Sequence, residues 1–410
     1  MAGVAAPVSQ PPHIALLFTT FPKTSETFLQ RDVAALQARG LRLKLYSLWG
    51  GGGEFGGLVV ENFPKWRLVP LLLFIIPWNC LRRPRLVRDL FEGVLTRGAP
   101  SWLNFWENML GAGFAGCFYR RLRADPPALV HGAWAGAPAT AAWVLWRMFG
   151  WNYSTGAHAY DIYEHGGDWW LREKLRHARF VHTSTETGRR ELIARGVPPD
   201  RIVCIRRGLD VFPEFKPLRP DRRPLRVLCI ARLVAKKGLR HQLRIYAALK
   251  QAGLPFAARI VGDGPLRPAL EAAAREAGVA NEVTFAGQLP SVAVWAELRW
   301  ADVLVHTGII ADSGDRDGLP NVVPEAMAAG VLVVTSPQPG TLEAVTSGRT
   351  GLVAAVEDPA AWVAALRRLA ADDAGAESLR AAARRWVEEN YDAHRNTAQL
   401  AACFDRAMQP

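Results

Sequence analysis

The chain has 410 residues, half of them hydrophobic, which is enough for two large domains with sizeable cores. Its formal charge is +12, from 50 Lys+Arg against 38 Asp+Glu, so we expect an anionic partner. The sequence carries no DNA- or RNA-binding motif, which favours an anionic membrane surface or a phosphorylated substrate over nucleic acid.

Cysteine usage indicates a reducing compartment. The five cysteines lie far apart, without metal-ligand spacing, which argues against a disulfide framework and against a zinc site. Residues 1–12 have neither a basic start nor an apolar core, so we expect no signal peptide. The cysteines are Cys80, Cys117, Cys204, Cys229 and Cys403.

The chain opens with alternating strands and helices. Residues 13–18 form an apolar strand, and the polar loop after it leads into a helix that ends before Gly40. Thr24 or Ser25 is the expected cap of that helix. Residues 41–48 alternate as a second strand, and a glycine-rich link follows at 50–57. Further strands are expected at 128–131, 153–162 (running into a loop), 180–184 and 201–205, with helices at 137–149 and 186–195.

Residues 64–97 form an unusual segment of this half. Their central apolar run, 68–81, is too short to span a bilayer. A basic, Trp-bearing apolar segment is typical of the plane of a membrane interface. A buried helix with a solvated basic end is an equally weighted alternative. The flanking side chains are Lys65, Trp66, Arg67, Trp78, Arg82, Arg83, Arg85 and Arg88.

The pattern predicts two doubly wound α/β domains. The first spans 1–208, a Pro- and charge-rich linker covers 209–224, and the second spans 225–392. A last helix, 393–410, is long enough to cross back to the first domain. In the second domain, strands are expected at 225–231, 256–261, 282–285, 302–307 and 331–335, and helices at 238–252, 266–277, 291–299 and 321–330.

The stretch 302–335 predicts the main site. It contains an acidic loop and then a helix that starts near Asn321 and stops at Gly330. Asp317 precedes this helix and Glu325 lies in its first turns. Free N–H groups at a helix start favour phosphate, so the site suits a nucleotide-sugar, with one carboxylate on the sugar hydroxyls and the other on the ribose. Both acids capping a helix is the simpler alternative.

Three further positions come at the carboxyl ends of strands, where open α/β sheets bind ligands. Arg232 and Lys237 would neutralise a departing diphosphate, although a solvated basic turn has the same pattern. His158 ends a strand of the other domain and would face them across a cleft. Gly262-x-Gly264 is interpreted as a tight turn. Asp315-x-Asp317 matches a metal-binding motif but comes late in the chain, so we expect a site without metal.

These motifs together resemble a retaining, family-four glycosyltransferase of the GT-B fold. The matching pieces are Ala-Arg232-Leu-x3-Lys-Gly, Val-Gly-Asp-Gly-Pro, Gly-Leu-Pro-Asn-x3-Glu325-Ala-Met, Pro-Gly-x-x-Glu343-Ala-Val and Arg349-Thr-Gly-Leu-Val. Phe21-Pro-Lys-Thr-Ser-Glu-Thr-Phe and Ala-His158-Ala-Tyr-Asp-Ile resemble a narrower branch that assembles bacterial exopolysaccharides, colanic-acid-type enzymes among them.

The resemblance implies roles for these residues. Arg232 and Lys237 would bind the donor diphosphate, Glu325 the ribose and Asp317 the transferred sugar, with His158 near the reacting carbon. The motif residues Gly318, Leu319 and Asn321 would complete the donor site. The family usually has Glu where this chain has Asp317, so the sugar contact is expected to differ.

The implied reaction retains the anomeric configuration and requires no cofactor, metal or protein nucleophile. The expected partners are a nucleotide-sugar donor, a lipid-linked saccharide acceptor and an anionic membrane surface at the cytoplasmic face. The competing hypotheses are a nucleotide-sugar epimerase of the same fold and a non-catalytic subunit of a polysaccharide assembly. Loss of function on Glu325→Ala would separate an enzyme from a scaffold.

Overall fold

The computed structural model describes residues 12–23, 26–96 and 99–409, and within these ranges the strands form two sheets. The expected caps Thr24 and Ser25, and nearly all of residues 1–12, lie outside the described part. The first sheet comprises β1 (Ile14–Phe18), β2 (Leu43–Ser47), β3 (Gly53–Phe55), β4 (Leu58–Asn62), β5 (Leu129–Gly132), β6 (Tyr153–Gly156), β7 (Val181–Thr183) and β8 (Ile202–Cys204). The second comprises β9 (Leu225–Ile230), β10 (Phe256–Val261), β11 (Val283–Gly287), β12 (Val303–His306), β13 (Leu332–Thr335) and β14 (Leu352–Val353).

Helices cover both faces of each sheet. Those of the first half are α1 (Thr27–Ala38), α2 (Leu68–Pro70), α3 (Ile76–Arg82), α4 (Pro84–Thr96), α5 (Trp102–Ala124), α6 (Ala137–Phe149), α7 (Tyr160–Tyr163), α8 (Leu171–Arg176) and α9 (Glu186–Ala194). Those of the second half are α10 (Leu239–Gln251), α11 (Arg267–Glu276), α12 (Ser291–Trp300), α13 (Val322–Ala328), α14 (Pro359–Ala371), α15 (Asp373–Asn390) and α16 (Ala393–Met408).

The strand order places a switch point in each sheet. In the first sheet β1 pairs in parallel with β2 on one side and β5 on the other, and in the second sheet β9 lies between β10 and β12. Consecutive βα units therefore leave each sheet in opposite directions and open a crevice at the carboxyl ends of its strands. The two crevices meet in one cleft between the domains.

The predicted return of the last helix is confirmed. Leu400 and Phe404 of α16 are buried in one cluster with Ile14 and Leu16 of β1. The amide of Asn152, next to β6, donates to the carbonyl of Ala407 at 3.2 Å. The last helix thus belongs to the core of the first domain, while α15 before it packs against α13 in the second.

The structure differs from the expectations at three places. Residues 50–57, expected as a link, contain β3 and the turn of a β3–β4 hairpin, because Gly56 and Gly57 have φ of +58° and +79° and form a two-residue hairpin turn. The strand expected over 153–162 stops at Gly156, and α7 begins at Tyr160. The 23-residue helix α5 was not predicted at all. Among the described helices, none combines the length and apolarity needed to cross a bilayer.

Candidate functional site

The cleft between the two domains has a volume of about 500 Å³ and receives side chains from both sheets. Its first-domain wall comes from the carboxyl ends of β1, β5, β6, β7 and β8 and from the start of α5. Its second-domain wall comes from the ends of β9 and β12. Among the residues predicted for the site, those lining the cleft are His158, Arg232, Lys237, Asp317, Gly318, Leu319 and Asn321.

Asp317 is held by cations rather than free. Its carboxylate accepts a hydrogen bond from Lys237 Nζ at 2.5 Å and lies 3.6 Å from Lys236 Nζ. Lys236, itself buried, also donates to Asp315 at 3.0 Å. Burial alone would raise the pKa of the Asp317 carboxyl, but Lys237, together with His306 and Lys236, holds that pKa well below its usual range. Asp317 is therefore held in its ionised form, and its negative charge partly neutralises that of Lys237.

Arg232 is an exposed cation of the cleft. It follows β9, and within the described part of the chain its guanidinium has neither a hydrogen bond nor an ion pair. The loop that carries Arg232 packs closely against the loop after β10, since a Cβ on Gly262 would lie 2.0 Å from the Ala231 carbonyl oxygen. A Cβ on Gly264 would lie 2.7 Å from the Leu233 carbonyl oxygen. The two glycines of the predicted tight turn thus support the loop that carries Arg232.

The loop from Gly318 to Asn321 lines the cleft. Gly318 packs tightly against Gly340, because a Cβ on Gly340 would lie 2.4 Å from the Gly318 carbonyl. The side-chain oxygen of Asn321 accepts from Tyr391 at 2.7 Å and from Arg207 at 3.4 Å, so this side chain does not cap α13.

Glu325 has a different environment from Asp317. Glu325 lies in α13 and is not among the residues that line the cleft in the described structure. Its carboxylate is 3.8 Å from the guanidinium of Arg31 on α1. Burial raises the pKa of this carboxyl, against the opposing effect of Arg31. The two acids spaced eight positions apart thus differ in their surroundings, and Glu325 contacts the other domain.

His158 is buried and neutral. Its backbone N–H donates to Asp161, and its ring lies edge-on to Trp134 and His182 at centroid distances of 5.4 and 5.0 Å. Burial, together with the neighbouring His182 and Arg207, holds the pKa of His158 well below its usual value. Its Nδ1 is buried without a hydrogen-bond partner in the described structure. A neutral imidazole facing the cleft is able to form a hydrogen bond with a ligand.

Several lining residues were not predicted. Arg207 follows β8, stacks 3.5 Å from the Phe28 ring centroid and has an unpartnered Nε within the described structure. The strand-end rule that selected His158 applies equally to Arg207, so that signal was available. Asn104 and Glu107 come from α5, whose existence the sequence pattern did not indicate.

Two family models match the chain on either side of the linker. "Glycosyltransferase Family 4" matches residues 25–211 and "Glycosyl transferases group 1" matches residues 211–386. An amylovoran biosynthesis glycosyltransferase (AmsK) of Erwinia amylovora is 33% identical over 53% of each chain. A putative colanic acid biosynthesis glycosyltransferase (WcaL) of Salmonella typhimurium is 31% identical over 52% of each chain. The matches thus span about half the length of these relatives.

The fold is also found in solved structures. An Anabaena protein (HepE), crystallised in complex with UDP, superposes with a TM-score of 0.70 over 96% of this chain and all of that one, at 16% identity. At this identity the likeness concerns the fold alone, and the predicted GT-B architecture of two facing Rossmann-like domains is confirmed.

Proposed function

The chain belongs to the family-four glycosyltransferases of the GT-B fold, and from that premise we propose that it transfers a sugar from a nucleotide-diphosphate sugar to a lipid-linked saccharide in the assembly of a bacterial surface polysaccharide. The observation that carries the proposal is the cleft itself, in which Lys236 and Lys237 contact the carboxylate of Asp317 and Arg232 and Arg207 line the same cleft.

The cations favour a diphosphate donor. Arg232 is free to pair with phosphate oxygens, and a diphosphate between it and Lys237 would gain charge-assisted hydrogen bonds as the leaving group accumulates charge. The Anabaena neighbour binds UDP, which supports a nucleotide donor. Glu325 is assigned to the ribose and the backbone of the 318–321 loop to the phosphates.

The sugar end of the donor is assigned to Asp317 and His158. Asp317, ionised and fixed by lysines, accepts hydrogen bonds from sugar hydroxyls. His158, uncharged and with a free Nδ1, contacts the sugar near its reacting carbon. The acceptor hydroxyl attacks from the face that the diphosphate leaves, and a departing phosphate oxygen takes its proton. This retaining course uses no protein nucleophile.

We assign no metal or cofactor to the reaction. Both carboxylates of the Asp315-x-Asp317 motif already accept hydrogen bonds from lysines, Lys236 and Lys237. These ammonium groups do electrostatically what a divalent cation does for a diphosphate elsewhere.

The acceptor side is proposed to face the cytoplasmic surface of an anionic membrane. In the segment 64–97, apolar side chains are solvent-exposed next to arginines; Trp66 is 67% exposed and Leu81 is 81% exposed. Exposed apolar surface beside cationic side chains suits the headgroup region of a bilayer. The two relatives named above are named for exopolysaccharide synthesis, which is consistent with a lipid-carried acceptor.

The test is a thermal-shift panel with UDP, GDP, ADP and dTDP, each with and without EDTA. A ligand that binds only the folded state raises the midpoint. We expect a shift with one nucleotide, unchanged by EDTA. A shift abolished by EDTA contradicts the metal-free site. No shift with any nucleotide contradicts the donor site and favours a non-catalytic assembly subunit.

Asp317→Asn tests the sugar contact in the same protein. We expect the shift with the nucleotide alone to persist, while transfer, or hydrolysis of the matching nucleotide-sugar, falls on the order of 10²-fold. Asp312→Asn is the matched control, since Asp312 is exposed in the same acidic loop. Unaltered turnover in Asp317→Asn would overturn the role of Asp317.

A further inference from the structure

The first two turns of α5 have two chemically different faces. Ser101, Asn104 and Glu107 follow the helical spacing of i, i+3 and i+6 and line the cleft. Trp102 and Trp106 lie on the opposite side and are 73% and 52% exposed. The start of α5 therefore presents a polar face to the cleft and an aromatic face to solvent.

The polar face is held rigidly. Ser101 Oγ caps α5 by accepting from the Asn104 backbone N–H at 3.1 Å. The Asn104 amide donates to Asp168 at 2.8 Å, and Asp168 in turn accepts from Lys174 Nζ at 2.6 Å. Lys174 is fully buried and touches Asn108 one turn further along α5. This buried network fixes the angle at which α5 meets the cleft.

The chemistry of the polar face suits sugar hydroxyls rather than phosphate. Burial, with the nearby carboxylates Asp168 and Glu164, raises the pKa of Glu107. Glu164, Glu26 and Tyr160 line the cleft beside it. Carboxylate, amide and phenol groups pair with hydroxyl donors and acceptors. Lys23, on the same wall, already pairs with Glu26 at 2.8 Å, while Arg232, Lys236 and Lys237 lie on the second-domain wall.

The outer face is a compact apolar patch. The rings of Trp102, Phe105 and Trp106, here called the aromatic lip, lie 5.3–5.5 Å apart in pairs. Leu103 connects this lip to the site, because it lines the cleft and is also 69% exposed. At the end of α4, Leu95 is likewise 69% exposed.

We propose that the start of α5 is the acceptor subsite and that it selects an amphiphilic saccharide. The sugar binds to the face formed by Ser101, Asn104 and Glu107, and the attached apolar chain passes over Leu103 onto the aromatic lip. This inference rests on the proposed function, because it specifies the acceptor of the proposed transfer as a sugar whose apolar chain leaves the cleft on the α5 side. The segment 64–97 then binds the bilayer, and the lip binds the one chain attached to the substrate.

The experiment uses octyl β-glucoside below its micelle concentration, with methyl β-glucoside as the probe that lacks a chain. Saturation-transfer NMR on the full chain reports which probe protons touch protein. We expect transfer to the octyl chain in the wild type and about tenfold weaker octyl glucoside binding in Trp102→Gln/Trp106→Gln, the loss expected when a few methylenes leave apolar surface. Methyl glucoside, which has no chain, is expected to respond equally in both proteins.

Trp66→Gln/Trp78→Gln is the matched control, because it removes two exposed tryptophans from the basic segment and leaves the lip intact. This variant is expected to bind octyl glucoside as the wild type does. Glu107→Gln is expected to weaken both probes to a similar extent. Equal octyl glucoside binding by the lip variant and the wild type, or no chain saturation in the wild type, would overturn the proposal. The readout requires no transfer, so it is separable from failure of the nucleotide panel.

Discussion

Three histidines of the first domain are buried side by side along its sheet. His131 lies in β5, His182 in β7 and His158 just after β6. Burial lowers the pKa of His131 to about 3 and that of His182 to about 4, and it holds the pKa of His158 well below its usual value. Since these values lie below the unfolded value of about 6.5, the associated stability is present above pH 6.5 and is lost as the pH falls through the window below it.

His182→Gln tests this at one residue. The amide keeps a donor for the Ile205 carbonyl, which accepts from His182 Nε2 at 2.9 Å, but it does not titrate. Between pH 7 and pH 5 the free energy of unfolding should fall by roughly 2 kcal/mol less in the variant than in the wild type. Denaturant titrations at both pH values measure the difference. His394→Gln, at an exposed site, should follow the wild type; equal pH dependence in His182→Gln would contradict a neutral buried His182.

At the scale of single residues, the most useful guide was the rule that open α/β sheets bind ligands at the carboxyl ends of their strands. It selected Arg232 and His158, and both line the cleft. Asp317 lies on the loop and Glu325 on the helix, as predicted, but the contact of Glu325 with Arg31 of α1 across the domain boundary was not predicted.

Among the elements, α5 depends most on tertiary packing. It is apolar around much of its circumference and contains three glycines, so neither its periodicity nor its propensity indicates a helix. The glycines have a packing reason. A Cβ on Gly111 would lie 2.2 Å from the Ala137 carbonyl oxygen of α6, whereas a Cβ on Gly113 would meet the end of the Leu71 side chain at 2.6 Å.

Gly111→Ala and Gly113→Ala form a matched pair within this helix. The first pushes against backbone that has no freedom to move, and we expect it to destabilise the protein by about 2–3 kcal/mol despite the better helix propensity of Ala. The second displaces a flexible side chain, and the propensity gain of up to about 1 kcal/mol offsets much of its strain. Chemical denaturation of both variants is the measurement. Equal loss of stability in the two would show that backbone contact with α6 is not what requires Gly111.

At the scale of the whole molecule, the domains are joined by contacts across the cleft as well as by the linker. Glu343 of the second domain accepts hydrogen bonds from the backbone N–H groups of Glu186 and Thr187 at 3.1 and 2.8 Å. These groups begin α9 of the first domain, where unpaired N–H groups attract a carboxylate. Arg316 pairs with Glu191 on the same helix at 3.4 Å. The closed arrangement is thus stabilised by one domain capping a helix of the other.

Glu343→Ala should favour a more open arrangement. Removing the carboxylate leaves both N–H groups without their partner and is expected to destabilise the interface by about 1–2 kcal/mol. Small-angle scattering should show a larger radius of gyration. Glu357→Ala, an exposed acid of the same domain, is the control and should scatter as the wild type does. Unchanged scattering in Glu343→Ala would contradict a role of this cap in closure.

The two α/β domains and the return of the last helix were predictable from the sequence, as were several residues that line the cleft. These follow from local information: apolar strands with helices between them place the ends of parallel strands at one edge, where Arg232, Asp317 and His158 lie. The contribution of α5 to the first-domain wall of the cleft was evident only from the tertiary structure. The helix α5 is placed there by contacts between residues far apart in the chain. Its glycines and apolar faces pack against α6 and the buried Asp168–Lys174 pair.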